Sequence, residues 1–155
     1  MKIFYYCFGS AHSSVVAASI HLGMLPSDRI PSPKEFANLP HYDKTNQYEI
    51  GTPFMMGRDE FDSEVFILGM TNERKLVKKA ILSFFSICGI STDDIMMIDT
   101  LKNVNFKTRI GGYLSRRLGC ITLGRPLTIK GIQERYTDFV DLVEKVKERE
   151  EENLK

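Results

Sequence analysis

Lys2-Ile3-Phe4-Tyr5-Tyr6-Cys7-Phe8-Gly9-Ser10-Ala11-His12-Ser13-Ser14-Val15-Val16-Ala17-Ala18-Ser19-Ile20 runs from an apolar strand through a loop of small and hydroxyl residues straight into an apolar helix. Residues 3–8 are apolar throughout and rich in aromatics, which predicts a strand covered on both faces. Ala11 to Leu25 reads as its helix, with Gly23 and Pro26 near the stop. A strand, a tight loop and a helix in that order are how a parallel α/β sheet builds an anion pocket, because the first amides of the helix have no intrahelical partners. Gly9, Ser10, Ala11, Ser13 and Ser14 are therefore expected to hold a small anionic or phosphorylated ligand.

The rest of the chain extends the same pattern. Ser32, Pro33 and Glu35 form a helix-start signal for a short helix ended by Pro40. Phe54–Met56 and Glu64–Leu68 are the arms of a hairpin excursion. Glu73 to Ile87 carries Leu76, Ala80, Phe84 and Ile87 along one stripe, with Asn72 as cap. Ile95-Met96-Met97-Ile98 is a second buried strand, ending in Asp99-Thr100. Asn105 to Leu118 reads as a helix with Phe106 and Ile110 inward and Gly119 at its end. Ile132 to Lys147 is the final helix. The expectation is a single three-layer α/β domain over 1–147 with a mostly parallel central sheet of four to five strands, and a charged, frayed tail over 148–155.

Charge narrows the partners. The 155 residues carry 21 Lys and Arg against 20 Asp and Glu, so overall charge gives no reason to expect nucleic acid. Eight of the basic residues lie between Lys102 and Arg135 with one acidic residue, and any contact with nucleic acid would use that 102–135 segment. Cys7, Cys88 and Cys120 are widely spaced, without a CxxC pair, and read as reduced thiols. No apolar run reaches 18 residues and no cleavage site completes a signal peptide, so no membrane contact and a cytoplasmic monomer are expected.

Chemistry concentrates at the opening loop. Cys7 reads as an inert core thiol or as a nucleophile, since a thiol at a helix N-terminus ionises more readily than a hydroxyl. His12 reads as a capping residue or as the proton partner of that thiol, and Asp99 as a turn residue or as a general acid orienting His12. Arg109 and Arg116 share a stripe with Gly112 at offsets of three and four. Together with Arg125 in a Gly-Arg-Pro turn, they read as a solvated face or as the positive clamp of the pocket. His12, His21 and His41 show no HxxxH or HExxH spacing, so no metal and no cofactor are expected.

Counting from Gly9 as a Walker A loop puts Ser14 and Val15 where Gly and Lys belong, which argues against a nucleoside triphosphate. The loop more closely resembles the phosphate loop of the low-molecular-weight protein tyrosine phosphatases, with Cys7, Gly9 and Ser14 in register but Ser13 where the family's arginine stands. As a whole the chain resembles the DUF3189 family of spore-forming Firmicutes. The stretches that carry the likeness are Tyr6–Ser14, Leu39–Thr45, Gly51–Phe54, Thr108–Gly112, Ser115–Gly119 and Gly124–Pro126. That resemblance implies a cytoplasmic bacterial protein tied to sporulation, and it assigns no activity. The residues themselves support either a hydrolase or transferase acting on an anionic metabolite, or a regulatory protein whose basic helix binds a protein or nucleic-acid partner.

Overall fold

The central strand of the sheet is the one that opens the chain. In the computed structural model, which describes residues 1–118 and 120–153 apart from the side chains of Gln47, Arg116 and Arg117, β1 (Lys2–Cys7) lies between two parallel neighbours. These are β3 (Glu64–Gly69) and β4 (Ile95–Asp99). The hairpin partner β2 (Pro53–Arg58) pairs antiparallel on the outer side of β3, giving the order β2-β3-β1-β4. In register Cys7 faces Gly69 and Tyr6 faces Asp99, so the C-terminal ends of all three parallel strands meet at one edge.

Alternation along β1 sorts its side chains between two helical layers. Ile3 and Tyr5 are fully buried against a core that includes Phe36, Tyr42, Ile132 and Phe139. That layer contains α1 (Ser13–His21), α2 (Pro33–Asn38), α5 (Ile121–Gln133) and α6 (Tyr136–Asn153). Phe4 and Tyr6 point the other way. Phe4 stacks on Phe66 with centroids 4.8 Å apart, and Tyr6, Leu68 and Met70 pack with Val77 and Ile81 of α3 (Arg74–Ile87). The result is a single three-layer α/β domain. Each fully buried aliphatic or aromatic side chain contributes about 1.5–3 kcal/mol, which sets the double-sided sheet as the main source of stability.

Helix α3 docks on a different stripe from the one the sequence suggests. Val77 and Ile81 pack against the sheet and Phe85 lies 6.1 Å from Phe4, whereas Leu76 is 65% exposed and Phe84 and Ile87 also face outward. Apolar residues stand on two adjacent stripes of this helix, and spacing alone does not say which of them meets a sheet. Its cap position is Glu73.

A larger departure lies after residue 105. Helix α4 (Phe106–Arg117) packs on α5, whose span contains the Gly124-Arg125-Pro126 stretch expected as a turn and reaches past Ile132, the expected start of the final helix. The two helices meet through glycines. A Cβ on Gly111 would stand 2.7 Å from the amide nitrogen of Thr128, and one on Gly124 2.5 Å from that of Ser115. Backbone-to-backbone contact draws the small residues Thr108, Gly111 and Ser115 inward and turns Phe106, Ile110 and Tyr113 out. Arg125 therefore sits on a helix with Pro126 inside it. The last helix also runs further than Lys147, to Asn153, with Glu150 fully buried near its end. Gly119, expected to cap α4, lies outside the described residues.

Candidate functional site

The loop from Phe8 to His12 carries the chain from the end of β1 into α1, and it closes around the Cys7 sulfur. The amide of Ser10 donates to Sγ at 3.1 Å, and Ser14 Oγ lies 3.2 Å from it. The thiol thus faces into the loop, not under the sheet, although it is only 4% exposed. Ser10 adopts φ +47°, a left-handed conformation costly for a residue with a Cβ. Its hydroxyl is buried and has no hydrogen-bond partner among the described residues. Buried side-chain hydroxyls without a partner are uncommon in folded proteins. Gly9 has open space around its Cα and, with Phe8, forms the accessible side of the loop.

A second segment holds this loop in place. Thr45 Oγ1 donates to the carbonyls of Gly9 and Ser10, and the Asp43 amide donates to the Ala11 carbonyl at 3.0 Å. His41 and Asp43 also have positive φ, so the strain of the site is shared by two segments that brace each other. Ser13 and Ser14 occupy the first turn of α1. The Thr100 hydroxyl, donating to the Tyr6 carbonyl at 3.0 Å, lies 2.9 Å from Ser13 Oγ and ties the end of β4 to that turn.

His12 belongs to a separate set of partners. Its Nε2–H donates to Asp43 Oδ1 at 3.2 Å, and Arg125 Nε donates to Asp43 Oδ2 at 3.3 Å. The carboxylate accepts only, so this contact places a proton on Nε2. Burial by itself would raise the Asp43 carboxyl. The hydrogen bond and charge of His12, with Ser115 and Arg125 adding to them, outweigh it and hold the carboxyl below its ordinary value. Tyr42 packs edge-on to the imidazole at 5.4 Å, and Gly112 of α4 leaves room for the ring on its other side.

These positions redraw the expected site. Cys7, Gly9, Ser10, Ala11, Ser13 and Ser14 do come together, and Arg125 reaches them through Asp43. Asp99 does not orient His12. It lies on the opposite face of the sheet with Tyr6, accepting from the Leu101 amide at 2.9 Å and facing Arg74 Nε at 3.9 Å. Strand alternation decides this, because Tyr6 and Asp99 are paired and Cys7 is the next residue along. His12 and Cys7 likewise take different partners. Arg109 is exposed, one turn before Gly112 on the α4 face that meets His12. The side chain of Arg116 lies outside the described residues.

Asp43 and Thr45 are contributors that the sequence did not single out. Asp43 and Thr45 stand in a polar stretch without periodicity, and only their inclusion in Leu39–Thr45, one of the stretches carrying the family likeness, marked them at all.

Residues 2–148 match the family model described as protein of unknown function, DUF3189, and the chain belongs to that family. No curated protein and no solved structure matches it. No helix among the described residues is long and apolar enough to cross a membrane.

Proposed function

We propose that this DUF3189 protein binds a phosphorylated or otherwise anionic small molecule at the Gly9–Ser14 loop and acts on it as a hydrolase or transferase, with Cys7 as the nucleophile. The observation that carries this reading is the sulfur held inside the loop by the Ser10 amide and the Ser14 hydroxyl, at the N-terminus of α1. The Ser10 amide donates to the sulfur, and the thiolate is the form of a cysteine that attacks an electrophile. The unpartnered Ser10 hydroxyl and the orphan amides of α1 supply further donors for anionic oxygens. Positive charge comes from Arg125, anchored on Asp43, and from the α4 face carrying Arg109.

With a phosphomonoester, Sγ attacks phosphorus, an S–P bond forms, and the bond to the leaving oxygen breaks as that oxygen takes a proton from His12. Water, giving its proton back to His12, then cleaves the S–P bond and releases inorganic phosphate. Because Cys7 is closed off, Phe8 and Gly9 must move aside to admit substrate. The reading includes a cytoplasmic location, where three unpaired thiols stay reduced.

A second reading rests on Phe106, Tyr113 and Leu123, apolar residues exposed around the basic α4–α5 hairpin. It makes the protein a non-catalytic, sporulation-associated regulator that docks a protein or nucleic acid there. One experiment separates the two. The purified protein, with C7A and H12A variants, is assayed against phosphoryl, acyl and thioester compounds while inorganic phosphate is titrated and the Gly9–Ser14 amide resonances are followed. Turnover abolished in C7A supports the enzyme. Full activity in C7A removes thiol chemistry, and phosphate-induced shifts without turnover leave an anion-binding regulator.

A further inference from the structure

At the far end of α1 from the loop, three side chains from distant parts of the chain converge in a fully enclosed space. His21 ends α1, Asp59 follows β2, and Glu150 lies near the end of α6. The side chains of all three are fully inaccessible to solvent. Asp59 Oδ2 is 2.9 Å from His21 Nε2, and Glu150 Oε2 is 3.6 Å from the same nitrogen. One donor atom from each lies within 4.8 Å of the others. Donor atoms around a four-coordinate zinc-class ion, with bonds of about 2.0–2.1 Å, stand about 3.3 Å apart, so the observed spacing brackets what such an ion requires.

Hydrogen bonding accounts for two of the three groups and leaves the third without a well-formed hydrogen bond among the described residues. With the proton on Nε2, His21 donates to Asp59 and accepts from Tyr5, whose hydroxyl is 2.8 Å from Nδ1. The other oxygen of Asp59 accepts from the amides of Phe61 and Ser63, both at 2.9 Å. Neither oxygen of Glu150 makes a well-formed hydrogen bond among the described residues, although Asp59 and the buried Ser63 Oγ stand close enough to act on its carboxyl. Lys147, one turn earlier on α6, is engaged by Glu60 at 2.6 Å. A buried carboxylate without a well-formed hydrogen bond is costly in a protein interior. A cation at the centre resolves it. His21 then ligates through Nε2 and donates Nδ1–H to the Tyr5 hydroxyl, the outer contact that metal-bound histidines use to fix their tautomer.

We propose that His21, Asp59 and Glu150 form a binding site for a divalent transition-metal ion of the zinc class, completed by Ser63 or a water. One imidazole and two carboxylates suit such an ion and balance its charge. Full enclosure makes the site structural, a clamp joining the end of α6 to the β2–β3 turn and to α1. The ligands stand at positions 21, 59 and 150, so no sequence spacing announces them.

The test uses the full chain, stripped with EDTA and titrated with Zn(II) and Co(II) by calorimetry, with the melting temperature followed in parallel. Expected is one equivalent bound, a melting temperature raised by metal, and loss of affinity in E150Q and H21Q beyond the roughly 100-fold that outer contacts command. Y5F keeps all three ligands and should weaken binding by about 10–100-fold while remaining folded by circular dichroism. The C88S/C120S double variant, which lacks the exposed thiols, should bind as the parent does. Absence of saturable binding in the folded parent, binding unchanged in Y5F and E150Q, or binding lost in C88S/C120S would overturn the assignment.

Discussion

His12 Nε2 lies 3.2 Å from Asp43 Oδ1 although 31 positions separate the two residues, and the second oxygen of the same carboxylate receives Arg125 from α5. One buried carboxylate therefore fixes the imidazole, the loop segment and the α4–α5 hairpin relative to the end of β1. Asp43→Asn keeps the size but loses the charge both partners require. A stability loss of about 1–3 kcal/mol is expected in urea denaturation at pH 7. Phosphate affinity at the Gly9–Ser14 amides should fall with it. Unchanged stability and affinity would mean that the carboxylate is not the anchor.

The same pair sets an acid limit. The Asp43 carboxyl is held below its ordinary value, so the native protein releases this proton at a lower pH than the unfolded chain, whose aspartates titrate near about 3.9. Between those two values the unfolded chain binds more protons, and acidification favours unfolding. The contribution is fully present above about pH 5 and declines as pH falls through the native value. Denaturant midpoints measured from pH 6 to pH 3 should drop more steeply for the parent than for D43N. Parallel curves would contradict the assignment.

Glycines give a prediction of opposite signs of severity. Gly124→Ala places a methyl 2.5 Å from the Ser115 amide nitrogen, in a backbone contact that has no flexible end to yield. Overpacking of that kind should cost about 1–3 kcal/mol or more and separate α4 from α5. Gly9→Ala meets nothing within 4 Å and should change stability by less than about 1 kcal/mol. Thermal unfolding of the two variants side by side tests whether the helix contact or general glycine flexibility controls stability.

Thiol accessibility is the next expectation. Cys88 and Cys120 are exposed and Cys7 is buried in the loop. Brief treatment with iodoacetamide, read by peptide mass spectrometry, should label Cys88 and Cys120 well before Cys7. If Phe8 and Gly9 open the loop, slow labelling of Cys7 should be suppressed by inorganic phosphate. Rapid labelling of Cys7 in the absence of ligand would show that the loop does not close over the sulfur.

The opening stretch, read alone, determined a great deal. Uninterrupted apolar residues from Ile3 to Phe8 ask for cover on both faces, and β1 has it between two parallel neighbours. The Ser32–Glu35 capping box and the Pro53–Gly69 hairpin were likewise legible, because caps and tight turns are local chemistry. The closeness of Cys7, Ser10 and Ser14 was readable for the same reason: a strand–loop–helix turn brings its own residues together.

Tertiary structure decided everything that depended on which surfaces meet. Two apolar stripes on α3 were equally periodic, and only docking selected Val77 and Ile81 over Leu76 and Phe84. Glycines that lower helix propensity in isolation proved to be the contact by which α4 and α5 approach, because closeness between helices is a property of two partners. Asp99 reads from its place at a strand end as a turn residue or as a group orienting His12, yet strand pairing sends it to the other face, and Asp43 arrives at His12 from a segment with no period. Glu150 shows the limit most plainly. In a run of charged residues it reads as solvated tail, and its burial beside His21 and Asp59 exists only once α6 has packed along α1. Short-range order is written in neighbouring residues, whereas a buried polar cluster is assembled from residues whose separation along the chain carries no trace of their meeting.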